Sequence, residues 1–318
     1  MQELINRAKE LLNEGKVTQV LGWKKGDLTY NPEPAYFKQV AELDNFTYDG
    51  FCSANLSKYL TRITEPTLVF LRPCDTYSFN QLLKEHRLER KNVYIIGVAC
   101  QGTLDLDLIK NRTSNSILAI ANATTPTLTV TTLQAEKNIP YQEVLLERCR
   151  VCKGKEHLIA DEIIGESKET RDLDRFEAVA EIEQMEPEAR FAYFQKILSS
   201  CIRCNACRNV CPACNCVKCV FNSPKFDSEQ KANVATFEEK MFHIIRSLHV
   251  AGRCSDCGEC SRVCPQKIPL QLFNRKLIKD INTLYGDFQA GMDTETKGPL
   301  TNFTLEDPEP NTVRKGGV

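Results

Sequence analysis

Two arrays of cysteines with the same spacing lie in the last third of the sequence. The chain has sixteen cysteines, and half of them belong to these arrays. The first array consists of Cys201, Cys204, Cys207 and Cys211, followed by Pro212, and the second consists of Cys254, Cys257, Cys260 and Cys264, followed by Pro265. Cys-x-x-Cys spacing in an intracellular chain indicates metal binding, and structural zinc prefers two separate pairs to a run of four cysteines. The arrays therefore predict iron–sulfur clusters instead of zinc.

Both arrays match the Cys-x2-Cys-x2-Cys-x3-Cys-Pro run of bacterial ferredoxins, in which the fourth cysteine ligates the other cluster. Three thiolates at this spacing wrap one corner of a cubane, and the proline turns the fourth cysteine toward the neighbouring cluster. This crossed scheme predicts two adjacent 4Fe–4S clusters. The first cluster site would consist of Cys201, Cys204, Cys207 and Cys264. The second cluster site would consist of Cys254, Cys257, Cys260 and Cys211.

The segment between the arrays, residues 212–253, is long enough to include a helix, FEEKMFHIIRSLHVAG. Compact bacterial ferredoxins have a much shorter segment there. This part of the chain instead resembles the helical ferredoxin domains of heterodisulfide reductase and succinate dehydrogenase iron–sulfur subunits. His243 and His249 lie on the intervening helix, and we expect them to pack or to face solvent.

Four further cysteines are predicted to meet in the N-terminal half. Cys74 and Cys100 each end a buried strand, and Cys149 and Cys152 form a Cys-x-x-Cys pair. The carboxyl ends of neighbouring parallel strands converge on one crevice, so these four thiols could bind a third 4Fe–4S cluster. We call them the third cluster site. In the alternative interpretation, the strand-end thiols line a flavin pocket.

The last four cysteines give a hypothesis for a fourth cluster. Cys214, Cys216 and Cys219, the cysteine trio, directly follow the first array, and Cys52 stands alone in the sequence. Together they would supply four ligands. Alternatively, the trio binds zinc or faces a partner protein, and Cys52 is a buried thiol.

The cysteines of the third cluster site need a parallel sheet to position them. Residues 1–14 form an amphipathic helix with Leu4, Ile5, Ala8, Leu11 and Leu12 on its apolar face. Thr67–Leu71 and Val93–Val98 are apolar runs typical of buried parallel strands, and a helix is predicted over Tyr77–Arg90 between them. Thr127–Thr132 is a third candidate strand. The pattern predicts an α/β domain with a partly parallel sheet, followed by an all-α dicluster ferredoxin domain.

Composition changes along the chain give the expected boundaries. Residues 1–165 form the α/β domain, 166–185 a charged and solvated linker helix, 186–286 the ferredoxin domain and 287–318 a polar tail that is disordered or extended across a partner. If the tail binds a partner, deletion of residues 290–318 is expected to weaken complex formation.

Charge and hydropathy exclude several functions. The formal net charge is −1, which gives no field directed toward nucleic acid, and no apolar run is long enough to span a bilayer. The N-terminal helix lacks the apolar core of a signal peptide, so we expect a cytoplasmic protein. No dinucleotide-binding glycine motif, phosphate loop or nucleophile elbow is present, as expected for electron transfer without group transfer.

The strand-end motifs Pro73-Cys74-Asp75 and Gly97-Val98-Ala99-Cys100 resemble those of the β subunits of deazaflavin-coenzyme hydrogenases and formate dehydrogenases. The first array and the trio, CIRCNACRNVCPACNCVKC, resemble dicluster proteins of heterodisulfide-reductase-like complexes in anaerobes. These resemblances imply partner subunits of the hydrogenase, formate dehydrogenase or flavin-bifurcating type. Members of the β-subunit family bind FAD and reduce the deazaflavin coenzyme, which makes FAD a further candidate cofactor.

Three functions are compatible with these observations. The leading hypothesis is an electron-transfer subunit that relays electrons through 4Fe–4S clusters within a larger redox complex. The first alternative is a subunit that contains FAD and itself reduces a nicotinamide or deazaflavin coenzyme. The second alternative is a scaffold or redox sensor whose clusters control assembly.

Overall fold

In the computed structural model, residues 1–166 form an α/β region and residues 174–302 form a helical region that carries the cysteine arrays. The structure describes residues 1–113, 116–121, 123, 126–154, 156–166, 174–222 and 236–302. This architecture confirms the predicted fold class.

Strands and helices are mixed along the α/β region, and the described elements after it are helices. The strands are β1 (Gln19–Lys24), β2 (Glu33–Phe37), β3 (Phe46–Thr47), β4 (Thr67–Leu71), β5 (Val93–Val98), β6 (Ile117–Ala121), β7 (Thr127–Thr132), β8 (Glu136–Pro140) and β9 (Glu162–Ile164). The helices are α1 (Gln2–Asn13), α2 (Pro73–Lys84), α3 (Leu106–Thr113), α4 (Glu147–Arg150), α5 (Glu177–Glu183), α6 (Pro187–Ser199), α7 (Ala206–Val210), α8 (Thr236–His249), α9 (Glu259–Arg262) and α10 (Gln271–Tyr285). Short 3-10 helices occur at Val40–Asn45, Leu56–Arg62, Arg90–Asn92, Tyr141–Val144 and Val220–Asn222.

The main sheet is built on the two buried strands that the sequence predicts. β4 pairs in parallel with β5 on one side and with β1 on the other, and β9 continues the parallel order beyond β5. β2 and β3 pair antiparallel with β1 at the opposite edge. Every residue of β4 is buried, as expected for a parallel strand covered on both faces. The apolar face of α1 is buried as predicted through Leu4, Ile5, Ala8 and Leu11, and Leu12 packs against the same core.

The predicted helix after β4 begins earlier and ends earlier than expected. α2 starts at Pro73 instead of Tyr77, because proline suits the first position of a helix and the Asp75 carboxylate accepts the Arg72 backbone N–H. It ends at Lys84 instead of Arg90, close to His86, whose φ of 53° is left-handed. The earlier start places Cys74 in the first turn of α2 and not at the end of the strand.

A second, smaller sheet contains the third predicted strand. Thr127–Thr132 is confirmed as a strand, β7, but it pairs antiparallel with β6 and β8 instead of joining the main sheet. Buried and more accessible positions alternate along β7, which is typical of an antiparallel strand with one covered face. Leu128 and Val130 pack with Phe51 and Leu104 in a separate core.

The charged segment that precedes the first array packs against the helical region. Within the expected linker, α5 buries Val179, and its Glu183 forms ion pairs with Lys276 and Lys279 of α10. The expectation of a fully solvated helix was therefore wrong for α5, because this helix has an apolar face that α10 covers. Residues 167–173 of the linker lie outside the described residues.

Buried polar contacts join the helical region to the α/β region. Glu259, which is 0% exposed, accepts a hydrogen bond from Arg148 at 2.5 Å and one from the Asn55 backbone N–H at 3.3 Å. Arg253 forms an ion pair with Glu85 at 2.6 Å. These contacts fix the position of the second array relative to the third cluster site.

The first part of the tail packs on the α/β region. Ala290 is buried, and Gly291 lies so close to Tyr77 that a Cβ there would be 1.8 Å from the Tyr77 carbonyl oxygen. The Lys84 ammonium donates to the Thr296 carbonyl oxygen at 2.6 Å. Residues 287–302 therefore pack against the chain itself, whereas residues 303–318 of the predicted tail lie outside the described residues.

Among the helices of the described ranges, none has the length and apolarity needed to cross a membrane.

The Arg72–Asp75 ion pair should be essential for the stability of the α/β region. Both side chains are almost fully buried, and Arg72 also donates to the carbonyl oxygens of Cys52 and Ala54. Arg72→Met should lower the free energy of unfolding by about 3–5 kcal/mol, because it leaves the Asp75 carboxylate buried without a partner. Anaerobic urea unfolding followed by circular dichroism would measure this loss.

The control is the exposed pair between Lys24 and Glu33. Glu33→Ala should change the free energy of unfolding by about 1 kcal/mol or less. Equal losses in the two variants would contradict the importance of the buried pair.

Candidate metal centres

Both arrays begin with a loop of the same backbone conformation. Arg203 and Asn205 in the first array, and Asp256 and Gly258 in the second, have positive φ angles between 51° and 68°. In each array the backbone N–H two residues after the first cysteine donates to the sulfur of that cysteine at 3.4 Å. A backbone that alternates between left- and right-handed residues directs its N–H groups into one concavity, which suits an anionic group. The repeated sequence spacing thus corresponds to a repeated loop structure.

The first cluster site is assembled in the structure. Its four thiols line one small cavity, whose other walls include Phe242, Ile268 and Leu270. Cys264 comes from the second array and joins three cysteines of the first, which is the arrangement that the crossed scheme predicts.

The thiols of the second cluster site also lie close to one another. Burial, with a further contribution from charge on the neighbouring Cys211, raises the pKa of Cys257 well above its usual value and that of Cys260 to about 11. Burial and charge on Cys211 likewise raise the pKa of Cys254. The Cys214 thiol donates to the Cys211 sulfur, which lowers the pKa of Cys211 to about 6. Four bare thiolates would be costly in this buried space, and a cation such as iron would offset that cost.

The structure brings the third cluster site together from separate elements. Cys74 lies in α2, Cys100 follows β5, Cys149 lies in α4 and Cys152 follows α4. The Cys74 thiol donates to the Cys152 sulfur, and Cys100 experiences the charge of both Cys74 and Cys149. Burial is the main cause that raises the pKa of Cys100 to about 12.

Backbone N–H groups surround the third cluster site. They donate to three of its sulfurs: Gly102 to Cys100 at 3.4 Å, Thr103 to Cys149 at 3.2 Å and Gly154 to Cys152 at 3.3 Å. Glycine is required at position 154, because a Cβ there would lie 2.6 Å from the Cys74 backbone nitrogen. Such N–H···S hydrogen bonds tune the potential of an iron–sulfur cluster.

The proposed fourth set of ligands is not brought together. The cysteine trio lines a cavity of about 560 Å³ together with basic side chains that include Lys58, Arg87 and Arg253. Cys52 is fully buried elsewhere, where its sulfur lies 3.7 Å from both the Thr47 carbonyl oxygen and an Asp49 carboxylate oxygen. In this structure Cys52 is a core thiol of the α/β region.

The donor sets at the first three sites fit 4Fe–4S clusters. Within the described ranges, no three His, Cys, Asp or Glu side chains are arranged around a single metal ion. A cubane bonds each thiolate at a separate iron corner, so its ligands are more widely spaced than those of one ion. The helix between the two arrays also carries a buried arginine, Arg246, whose guanidinium nitrogens have no hydrogen-bond partner among the described residues.

The contact of His243 with a cysteine of the first cluster site was not predicted from the sequence. His243 was expected to pack or face solvent; it is buried, and its Nε2 lies 3.2 Å from the Cys201 sulfur. Burial, followed by the charges of Arg246 and Arg203, lowers the pKa of His243 to about 3, so the ring is neutral. We assign its proton to Nε2, because a thiolate can only accept. Its position six residues from His249, without any ligand spacing, gave no signal of this contact.

Comparisons with known proteins show a dicluster domain and similarity to subunits of formate dehydrogenases. The family model described as "4Fe-4S dicluster domain" matches residues 197–268, so the predicted dicluster domain is confirmed. The chain is 23% identical to F420-dependent formate dehydrogenase subunit beta of Methanocaldococcus jannaschii, over 93% of this chain and 92% of that protein. It is 24% identical to F420-dependent formate dehydrogenase 1 subunit beta of Methanococcus maripaludis, over 92% and 91%.

A solved structure, the F420-reducing NiFe hydrogenase complex from Methanosarcina barkeri derivatised with xenon, includes a chain that matches with a TM-score of 0.36 and 14% identity. The match covers 47% of this chain and 58% of that chain.

Replacement of His243 should lower the potential of the cluster at the first site. The Nε2–H donor stabilises the reduced, more negative cluster more than the oxidised one. His243→Leu should therefore make one-electron reduction less favourable by about 1 kcal/mol. An anaerobic redox titration followed by electron paramagnetic resonance would measure the shift.

His249→Leu is the matched control, since His249 is exposed on the same helix. This variant should leave both potentials unchanged. An unchanged potential in His243→Leu as well would show that the contact with Cys201 has no electronic effect.

Proposed function

We propose that this chain, a homologue of the beta subunits of F420-dependent formate dehydrogenases with a 4Fe–4S dicluster domain, is the iron–sulfur electron-transfer subunit of a multisubunit anaerobic oxidoreductase. The observation that carries the proposal is the assembly of three separate groups of four thiols in one chain. When bound, 4Fe–4S clusters supply one-electron carriers. The chain's own residues hold them, exclude water and set their potentials.

The crossed ligand sets are part of the proposal. The four thiols of the first cluster site line one cavity, and those of the second influence one another's pKa values. Each set combines three cysteines of one array with the fourth cysteine of the other. This exchange holds the two clusters next to each other and favours rapid electron transfer between them.

The third cluster site extends the same path into the α/β region. Arg148, next to Cys149 in sequence, donates to the Cys257 carbonyl oxygen at 2.7 Å. Lys153, next to Cys152, donates to the Ser255 carbonyl oxygen in the second array. These contacts support a third site next to the second, and we propose an electron path in the order third, second and first site.

The names of both relatives favour a partner subunit of the formate dehydrogenase type. They are named as subunits of F420-dependent formate dehydrogenases, so their complexes contain other subunits and use a deazaflavin coenzyme. We propose that this chain likewise carries electrons between a dehydrogenase subunit and an electron acceptor elsewhere in the complex. The acceptor takes up electrons either singly or in pairs.

Metal analysis of anaerobically purified protein tests the number of clusters. Three cubanes predict about twelve iron and twelve sulfide atoms per chain, because each contains four of both. Zinc and flavin are measured on the same samples. About eight irons with one flavin would instead favour a flavoenzyme with FAD in the α/β region, and bound zinc would contradict the cluster assignment.

Cys152→Ala tests the third site directly. It should remove about four irons per chain, whereas the matched control Cys52→Ala should remove none, since Cys52 belongs to no thiol group in the described structure. Equal iron contents in the two variants would contradict a cluster at the third site.

The same variant separates electron transfer from scaffolding in the assembled complex. Cys152→Ala should abolish turnover while the subunits still copurify, because the electron path is broken. Normal turnover by a complex that has lost this cluster would favour a scaffold or redox sensor.

A further inference from the structure

Arg246 is an unpaired charge inside the helical region. It lies in the last turn of α8, its side chain is 1% exposed, and Nε, Nη1 and Nη2 have no hydrogen-bond partner among the described residues. An isolated buried ion costs several kcal/mol. A structure that retains such a charge needs a negative group beside it.

Two other buried arginines of the described chain, Arg72 and Arg275, have carboxylate partners. Arg72 pairs with Asp75 at 2.7 Å, and Arg275 pairs with Asp256 at 3.0 Å. Arg246 differs from them, because its five N–H donors remain unused although it is equally buried. Its partner is therefore of another chemical type.

The groups around Arg246 are cysteine sulfurs. Burial lowers the pKa of Arg246, but charges on surrounding thiolates raise it overall, and the largest contributions come from Cys260 and Cys211. Cys207 contributes next, followed by Cys214. Packing on α8 gives the same placement. Val250, one turn after Arg246, packs with Cys211 and Cys254 of the second site. Phe242, one turn before Arg246, packs with Cys207 of the first site and Cys260 of the second, so the guanidinium lies between the two sites.

We propose that Arg246 is the shared counter-charge of the two clusters and raises the reduction potential of the second-site cluster more than that of the first. The inference rests on the proposed cluster ligation. Each cluster gains one electron on reduction and becomes more negative by one charge. A fixed positive charge stabilises this reduced form, and burial keeps the interaction from being screened by salt.

The position of α8 explains how one helix acts on both sites. His243 and Arg246 are three residues apart, so they project from the same side of the helix. His243 contacts Cys201 of the first site through Nε2, whereas Arg246 precedes Val250, which packs with Cys211 and Cys254 of the second. The helix inserted between the arrays thus presents a neutral donor to one cluster and a full charge to the other.

The test is a redox titration of the holoprotein followed by electron paramagnetic resonance, after iron and sulfide have been counted. Arg246→Met should decrease the equilibrium constant for reduction of the second-site cluster at least tenfold, a fall of about 59 mV for a one-electron couple, and should shift the first-site cluster less. Arg246→Lys, which keeps the charge, should restore most of the potential. Lys196→Met removes an exposed charge from α6 and should change neither potential.

The outcomes separate this inference from the proposed function. Wild-type protein without 4Fe–4S clusters would overturn both. Normal clusters with equal potentials in wild type and Arg246→Met would overturn the role of Arg246 alone. If Arg246→Met does not bind iron but Arg246→Lys does, the role of Arg246 as a counter-charge is supported. If neither variant binds iron, the side chain acts through its shape, and the proposed role as a counter-charge is overturned.

Discussion

Negative charge on buried thiolates is the constraint around which this structure is organised. A charged sulfur inside a protein is stable only if a metal, a hydrogen-bond donor or a positive charge lies beside it. The chain supplies backbone N–H groups at all three thiol groups and a buried arginine, Arg246, on the helix between the two arrays. Without these groups, the burial that protects a cluster from water would also prevent the thiolates from forming.

Other buried polar contacts hold the helical region against the α/β region. Arg148 donates to the Cys257 carbonyl oxygen and to the carboxylate of Glu259, which also pairs with Arg262. Burial raises the pKa of Glu259, but Arg262 and Arg148 outweigh this effect and lower it to about 2, so the carboxylate stays ionised. One network therefore fixes both the domain orientation and the spacing of the second and third sites, on which electron transfer depends.

The parts of the site that depend on local spacing could be predicted from sequence, and those that depend on tertiary placement could not. The arrays form the predicted loops because their cysteines and left-handed residues are close in the chain. The third site is an exception. Its ligands come from separate elements, but the convergence of parallel strand ends allowed it to be predicted, although the cap at Pro73 placed Cys74 in a helix. Arg246 and Cys52 gave no comparable signal, since a lone arginine on a helix and a lone cysteine have no pattern that reveals their neighbours.

Exposure distinguishes the first site from the second along the proposed electron path. Cys204 of the first site is exposed, and the neighbouring Ile202 is 53% exposed. At the second site, Cys211 and Cys260 are buried. An electron tunnels efficiently only over short distances, so the exposed first site is better placed than the second for exchange with a partner protein. In the proposed path the first site is therefore the terminal that exchanges electrons with another protein, and the second site is the internal relay, whose potential a buried charge such as Arg246 can set without interference from solvent.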